Sequence, residues 1–260
     1  MGNIHFHKYQ GTGNDFIILD NRDRQYDGLT NERVKSLCDR RFGIGADGLM
    51  LLNNRAGYDF EMKYYNSDGR ESSMCGNGGR CLVRFAYDLG IHKNSYYFIA
   101  TDGPHTAEID EDIVSLRMKN VGEIRDYHGD KILDTGSPHY IKMVTGVMEY
   151  DVFHKGMDIR WSSDFAREGI NVNFVEIKKP DEIIVRTYER GVEEETLSCG
   201  TGVTASALVC YHNDLGYNDV TVFTKGGKLT VKYDRIGEDS FDNIWLCGPA
   251  VKVFEGSVEG

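Results

Sequence analysis

The stretches Met74-Cys75-Gly76-Asn77-Gly78-Gly79-Arg80 and Ser198-Cys199-Gly200-Thr201-Gly202-Val203 are two copies of one pattern in a chain of 260 residues. Behind each Cys-Gly-x-Gly the sequence turns helical. Cys81, Leu82, Phe85, Ala86 and Leu89 make an apolar stripe that ends at Gly90, and Val203, Ala207, Cys210 and Tyr211 make another before Gly216. Both helices close on the same word, Asp88-Leu89-Gly90 and Asp214-Leu215-Gly216. Ahead of the cysteines, β-branched and aromatic runs predict strands at 58–65 and 183–188, which end in Tyr65-Asn66 and Tyr188-Glu189, nine or ten residues short of the thiol. The order strand, polar turn, Cys-Gly-x-Gly, helix, Asp-Leu-Gly therefore occurs twice. Such self-similarity predicts a duplicated domain, with halves 1–119 and 120–248 joined near Asn120-Val121-Gly122 and a cleft between them.

Further strands are predicted at 5–9, 16–20, 49–53, 96–101, 113–118, 172–177, 219–224, 228–233 and 250–254. Thr30 is placed to cap a helix carrying Val34, Leu37, Cys38 and Arg41. Gly43-x-Gly45-x-x-Gly48 has the spacing of a dinucleotide fingerprint, but a helix precedes it and a strand follows, the reverse of the order that motif needs. Lys225-Gly226-Gly227-Lys228 lacks P-loop spacing and reads as a hairpin turn.

With 30 basic and 41 acidic side chains the net charge is −11, and no Lys/Arg run exceeds three residues, so the concentrated basic surface that nucleic-acid binding needs is missing. A small-molecule function is expected. No apolar stretch approaches the roughly 18 residues of a membrane span. The first ten residues lack the basic-then-apolar form of a secretory signal, so a cytoplasmic protein without a membrane partner is expected. Six cysteines with no Cys-x-x-Cys pair are expected as reduced thiols, not as disulfides or a zinc site.

A thiol in the first turn of a helix lies beside unpaired backbone N–H groups and the positive end of the helix dipole, which favour its thiolate. The glycines behind it let a carboxylate approach the same N–H groups. Two such helix starts facing one cleft would hold a carboxylate between two thiols. One, as thiolate, would remove the proton from the adjacent carbon, and the other, as thiol, would deliver one to the opposite face. Lowering a thiol from about 8.5 towards 7 changes the thiolate free energy by roughly 2 kcal/mol, within reach of a helix end and a polar neighbour. Cys38, Cys81 and Cys210 lie on apolar helical stripes and Cys247 follows Trp245-Leu246, so these four read as core thiols. His139, after the turn Gly136-Ser137-Pro138, reads either as catalytic or as a surface or capping histidine. Glu189-Arg190 reads either as part of a site or as a solvated ion pair.

With both cysteine motifs in place, the chain resembles the diaminopimelate epimerase family nearly end to end. The resemblance is carried by Gly13-Asn14-Asp15-Phe16, Gly43-Ile44-Gly45-Ala46-Asp47-Gly48, Asn66-Ser67-Asp68-Gly69, the two cysteine motifs, Gly136-Ser137-Pro138-His139 and Glu189-Arg190-Gly191. It implies a mixed α/β (α+β) fold of two pseudo-symmetric domains, each a curved, mostly antiparallel sheet around a central helix, with the last strand, about 249–260, packed back on the first half. It also implies a PLP-independent isomerase of lysine and peptidoglycan-precursor biosynthesis that interconverts LL- and meso-2,6-diaminopimelate, a cytoplasmic homodimer needing no cofactor or metal. Cys75 and Cys199 would transfer the protons, assisted by His139 and Glu189. Gly76, Asn77, Gly200 and Thr201 would bind the reacting carboxylate, while Asn14, Asn66, Asn171, Glu189 and Arg190 would hold the amino groups and the distal carboxylate. Three places depart from the family pattern: Ser137, where Asn is common; Glu193-Glu194-Glu195, in a turn one residue longer than expected; and Gly48, where some members carry Gln. The residues by themselves also admit a proline-racemase-like isomerase, a thiol hydrolase with Cys75 as nucleophile and His139 as base, or a non-catalytic amino-acid-binding protein.

Overall fold

β-branched and aromatic runs become strands and the two Cys-Gly-x-Gly segments become helix starts in the computed structural model, which describes residues 2–210 and 215–259. The chain divides into two compact units, Met1–Leu116 with Gly248–Gly260, and Arg117–Cys247. In the first, β1 (Ile4–Gly11) pairs antiparallel with β2 (Asn14–Asp20), and α1 (Asn31–Cys38) leads to β3 (Gly48–Asn53), which lies parallel to β2. β4 (Glu61–Asn66) returns antiparallel to β3, and the two-residue β5 (Glu71–Ser72) folds back on it. After α2 (Gly76–Asp88) come β6 (Ser95–Ala100), parallel to β4, then β7 (Gly103–Asp110) and β8 (Ile113–Arg117).

The second unit repeats this plan. β9 (Arg125–Tyr127) and β10 (Asp130–Asp134) form a hairpin, β11 (Pro138–Met143) is antiparallel to β10, and α3 (Val152–Arg160) leads to β12 (Asn171–Lys179), parallel to β11. β13 (Glu182–Glu189) runs antiparallel to β12 and β14 (Glu194–Thr196) folds back on β13. After α4 (Gly200–Cys210) come β15 (Gly216–Thr224), parallel to β13, then β16 (Gly227–Arg235) and β17 (Phe241–Pro249). β18 (Val251–Val258) belongs to the first unit, where it pairs antiparallel with β1 as β9 does with β10. The ladder β1-β2-β3-β4-β6 and the ladder β10-β11-β12-β13-β15 thus have the same sequence of antiparallel and parallel pairings, so the duplication is written in the topology as well as in the motifs.

Each unit wraps a helix. α2 buries Gly76 through Val83 together with Phe85 and Ala86, and packs on β1, β2, β3 and β7. α4 differs from the expected one-sided stripe: Val203, Ala205, Ala207 and Leu208 are all buried, because strands β10 to β13, β15 and β16 surround it. Thr204 and Ser206 are buried too, and their hydroxyls donate back to the Gly200 and Gly202 carbonyls at 3.0 and 2.7 Å. Tyr211 and Asp214, expected on this helix and at its close, lie outside the described residues. α1 is capped by Thr30, whose hydroxyl accepts the Arg33 N–H at 3.2 Å, but it ends at Cys38, leaving Arg41 in the following turn. Lys225-Gly226 is the two-residue loop of a hairpin in which Thr224 pairs with Gly227.

Gly48 sits in β3 because a side chain there has no room: a Cβ would stand 2.5 Å from the Tyr64 ring and 2.6 Å from the Tyr65 carbonyl oxygen. Among the described residues no helix is long and apolar enough to cross a membrane. Gly48→Ala is expected to lose about 1–3 kcal/mol of stability through this overpacking, read as a lower urea midpoint; an unchanged midpoint contradicts the packing described.

Candidate functional site

In the first unit Cys75 is the N-cap of α2, with φ −103° and ψ 130°, and its carbonyl accepts the Gly79 N–H at 2.7 Å. Its side chain makes no cap hydrogen bond, so it does not occupy the first-turn N–H groups that a helix start leaves without intrahelical acceptors. Instead the thiol donates to Asn14 Oδ1 at 3.6 Å, and Asn77 Nδ2 donates to the same oxygen at 3.4 Å. The amide orientation of Asn14 follows from its other contact, Nδ2 donating to Asp47 Oδ2 at 2.6 Å, since a carboxylate only accepts.

Asp47 is one post of a charged clamp. Arg40 reaches Asp47 at 2.8 Å and grips Asp15 through two bonds of 2.6 and 3.0 Å, while Lys8 lies 2.8 Å from Asp15. Burial pushes the Asp15 carboxyl up, but the hydrogen bonds from Arg40 and Lys8 outweigh it and bring it down to about 2. The stretches around Asn14 and Asp47 therefore act together to aim one amide at Cys75. Beneath the helix start, the wholly buried Arg80 donates to Asn77 Oδ1 at 3.0 Å and Thr12 Oγ1 at 3.3 Å. Asn66 ends β4 opposite Gly48 with an exposed side chain.

In the second unit the Cys199 carbonyl accepts the Val203 N–H at 2.8 Å, the counterpart of the Cys75–Gly79 bond, so this thiol also opens a helix. Cys199 Sγ lies 3.5 Å from Thr201 Oγ1, and the Thr201 carbonyl is pinned by the Thr135 hydroxyl at 2.9 Å. The two thiols thus have partners of different character. The Asn14 oxygen can only accept, so its contact uses the Cys75 proton, whereas the Thr201 hydroxyl can donate to a thiolate.

His139 is wholly buried on β11 beside Asn171 of β12, not a surface or capping residue. Its Nδ1 lies 3.1 Å from Asn173 Nδ2, which also donates to the Tyr140 carbonyl at 3.1 Å, while Asn173 Oδ1 accepts from Thr187 Oγ1 at 2.9 Å. These flanking bonds fix the Asn173 amide, so it donates to Nδ1 and the proton of the neutral ring sits on Nε2. Burial pushes His139 down to about 3; Asp134 opposes this and Arg190 adds to it. Nε2 is buried and has no hydrogen-bond partner among the described residues. The first turn of α4 rests on this pair: a Cβ at Gly202 would stand 2.3 Å from Asn173 Oδ1 and 3.3 Å from His139 Cε1.

Asn171 Nδ2 donates to Ser137 Oγ at 2.8 Å and the Pro138 carbonyl at 3.2 Å, and its Oδ1 accepts the Arg190 N–H at 2.9 Å. Ser137 therefore works as a fastener for Asn171, and Arg190 Nη2 also reaches it at 3.4 Å while Nη1 donates to the Glu168 carbonyl at 3.0 Å. Glu189 closes β13, opposite Glu194. The acidic triplet that follows is mostly tied down: Glu193, at φ 59°, accepts from Arg160 Nε at 3.2 Å, and Glu195 takes two bonds from Arg186 at 2.6 and 2.7 Å. Of the other cysteines, Cys38, Cys81 and Cys247 are buried as expected of core thiols, whereas Cys210, also unbridged, is only half-buried; burial pushes Cys38, Cys81 and Cys210 each up to about 12, so they stay protonated at neutral pH. Asn173 and Thr187 are the residues that sequence reasoning missed. Asn171 and Asn173 stand two apart on one strand and hence on one face, a signal that was available.

The family model described as diaminopimelate epimerase matches residues 6–121 and 132–253. A diaminopimelate epimerase of Flavobacterium psychrophilum is 51% identical over 255 residues, covering 97% of this chain and 99% of its own. One of Chlorobaculum tepidum is 42% identical over 258 residues, covering 95% and 98%. Among solved structures, a PhzF-family phenazine biosynthesis protein of Bacillus anthracis matches with a TM-score of 0.77 at 17% identity over 99% of each chain. A hydroxyproline epimerase of Agrobacterium vitis matches with 0.68 at 13%, covering 100% of this chain and 94% of its own. At such identities these two share the fold.

The neutral His139 has a thermodynamic consequence. Its ring titrates near 3 when folded against 6.5 ordinarily, so the unfolded chain binds the extra proton between those values. The stability it contributes is complete above about 6.5 and is lost as pH falls towards 3. Denaturant unfolding at pH 7 and pH 5 should show a larger loss for the wild type than for His139→Gln; equal losses contradict the assignment.

Proposed function

This chain belongs to the diaminopimelate epimerase family, and from that premise we propose that it interconverts LL- and meso-2,6-diaminopimelate, with Cys75 and Cys199 as the two proton-transfer groups. The observation that carries the two-thiol reading is the duplicated helix start: each cysteine immediately precedes a Gly-x-Gly that forms the first turn of a core helix, with first-turn N–H groups beside it. The step balances without another reactant. A thiolate takes the α-proton from one face of the substrate carbon, the electron pair delocalises into the carboxylate, and the second thiol gives its proton to the opposite face. The two sulfurs end the turnover with exchanged protonation states. A Cα–H beside a carboxylate is a very weak acid, so the charge that develops on the carboxylate needs donors already in position, at about 3 kcal/mol for each well-aimed one. Gly76, Asn77, Gly200 and Thr201 would supply such donors.

His139 enters this scheme as a neutral Nε2–H donor that polarises the site, with Glu189 as the companion acceptor. Arg190 would take the distal carboxylate: a guanidinium has five N–H donors, and the Glu168 carbonyl and Ser137 hydroxyl occupy only two. Asn14, Asn66 and Asn171 would bind amino groups, Asn171 through the second lone pair of an Oδ1 already engaged by Arg190. The thiol-hydrolase reading fares worse, because His139, held near 3 with Nδ1 engaged, is a poor base at neutral pH and the second Cys-Gly-x-Gly would have no task. Family membership likewise supports a cytoplasmic homodimer serving lysine and peptidoglycan-precursor synthesis.

The purified, reduced protein should convert LL-diaminopimelate to the meso form, and Cys75→Ala and Cys199→Ala should each lower epimerisation by at least about a thousandfold while remaining folded. No inversion by the wild type overturns the activity. Retention of a tenth or more of the rate in either variant overturns the two-thiol assignment alone.

A further inference from the structure

On the strand pair β1–β18, His5 and His7 stand two residues apart and so share a face, and the register sets Glu255 opposite His7 and Ser257 opposite His5. His7 Nδ1 lies 3.2 Å from Glu255 Oε2, His5 Nδ1 lies 3.3 Å from Ser257 Oγ, and the two imidazoles meet edge-on with centroids 4.9 Å apart. The His7 ring is backed by Phe85 of α2, with centroids 4.9 Å apart, while His5 and Glu255 are exposed. His7 Nδ1 is shielded from water, yet its approach to Glu255 is not aligned as a hydrogen bond. One ligating atom from each of His5, His7 and Glu255 lies within 4.8 Å of the other two.

We propose that His5, His7 and Glu255 form a binding site for a divalent transition-metal ion, with Zn²⁺ the best match. Two imidazole nitrogens and one carboxylate oxygen suit Zn²⁺, whose bonds of about 2.0–2.1 Å in a tetrahedron separate ligand atoms by about 3.3 Å. The three ligand atoms, within 4.8 Å of one another, would draw together to that spacing around the ion, and water would complete the tetrahedron. The Ser257 hydroxyl is placed to orient His5 from the outer shell. Lys252 is a built-in competitor: its Nζ lies 2.6 Å from Glu255 Oε2, and an entering ion must displace it. None of these residues takes part in the proton transfer proposed above, so the site stands or falls independently of it.

The test is a titration of the full-length, reduced protein with Zn²⁺, repeated with Co²⁺ for its visible spectrum. One equivalent should saturate the site with a Co²⁺ spectrum of nitrogen and oxygen ligation. His5→Ala/His7→Ala should weaken binding by at least about a hundredfold, while keeping full epimerase activity as proof of folding, and Lys252→Gln should tighten it. Cys75→Ala/Cys199→Ala, which removes the two reactive thiols, should bind as the wild type does. The proposal is overturned by no saturable binding at submillimolar ion, by binding that survives the double histidine variant, or by binding lost only in the double cysteine variant.

Discussion

Each of two buried helices opens on a cysteine, and at Cys75 the first turn carries no side-chain cap. An N-cap Ser, Thr, Asp or Asn would return its side-chain oxygen to the N2 or N3 N–H and close the anion site. Cysteine is a weak acceptor, and Cys75 makes no such bond. First-turn N–H groups left uncapped would bind a carboxylate and also favour the thiolate of the capping residue, so under the proposed function one constraint would serve both substrate binding and acid–base chemistry. The glycines follow from it. At Gly78 an added Cβ would stand 3.2 Å from Met50 Sδ, and at Gly202 it would stand 2.3 Å from Asn173 Oδ1, so a side chain at Gly202 would displace the amide that holds His139.

Duplication gives two helix starts, but the support beneath them has diverged. Under Cys75 it is ionic, a clamp of Lys8, Asp15, Arg40 and Asp47 that orients Asn14. Beside Cys199 it is a neutral network, Thr187 to Asn173 to His139, that sets a tautomer. The polar neighbours of the two thiols differ: Asn14 Oδ1 accepts from the Cys75 thiol, and the Thr201 hydroxyl lies beside Cys199 Sγ.

The parts of this account that the sequence disclosed are those written in short contiguous words. Cys-Gly-x-Gly followed by an apolar run declares a helix start, and its recurrence declares the duplication. β5 and β14, of two and three residues, are too short to carry an alternation. β11 opens on Pro138, a residue that belongs at a strand's first position yet reads as a turn, so His139 looked like a loop residue when it is a core one. α3 buries only Val152, Gly156 and Arg160, too sparse an apolar face to stand out. Glu193 occupies a left-handed position that a glycine usually fills, and its carboxylate bonds to the Gly191 N–H and Arg160 compensate; no local pattern announces that. The tautomer of His139 depends on residues brought together by strand pairing, and only the register reveals it.

The central claim, two thiols working on opposite faces of one carbon, is tested most directly by where solvent deuterium goes in the first turnovers. With LL-diaminopimelate in deuterated water, both sulfurs equilibrate with solvent before the substrate binds. The account predicts that early meso product carries deuterium at the inverted α-carbon while the remaining LL substrate keeps its protium. Early meso product that retains the original protium would mean that one base removes and returns the same proton, and would contradict it.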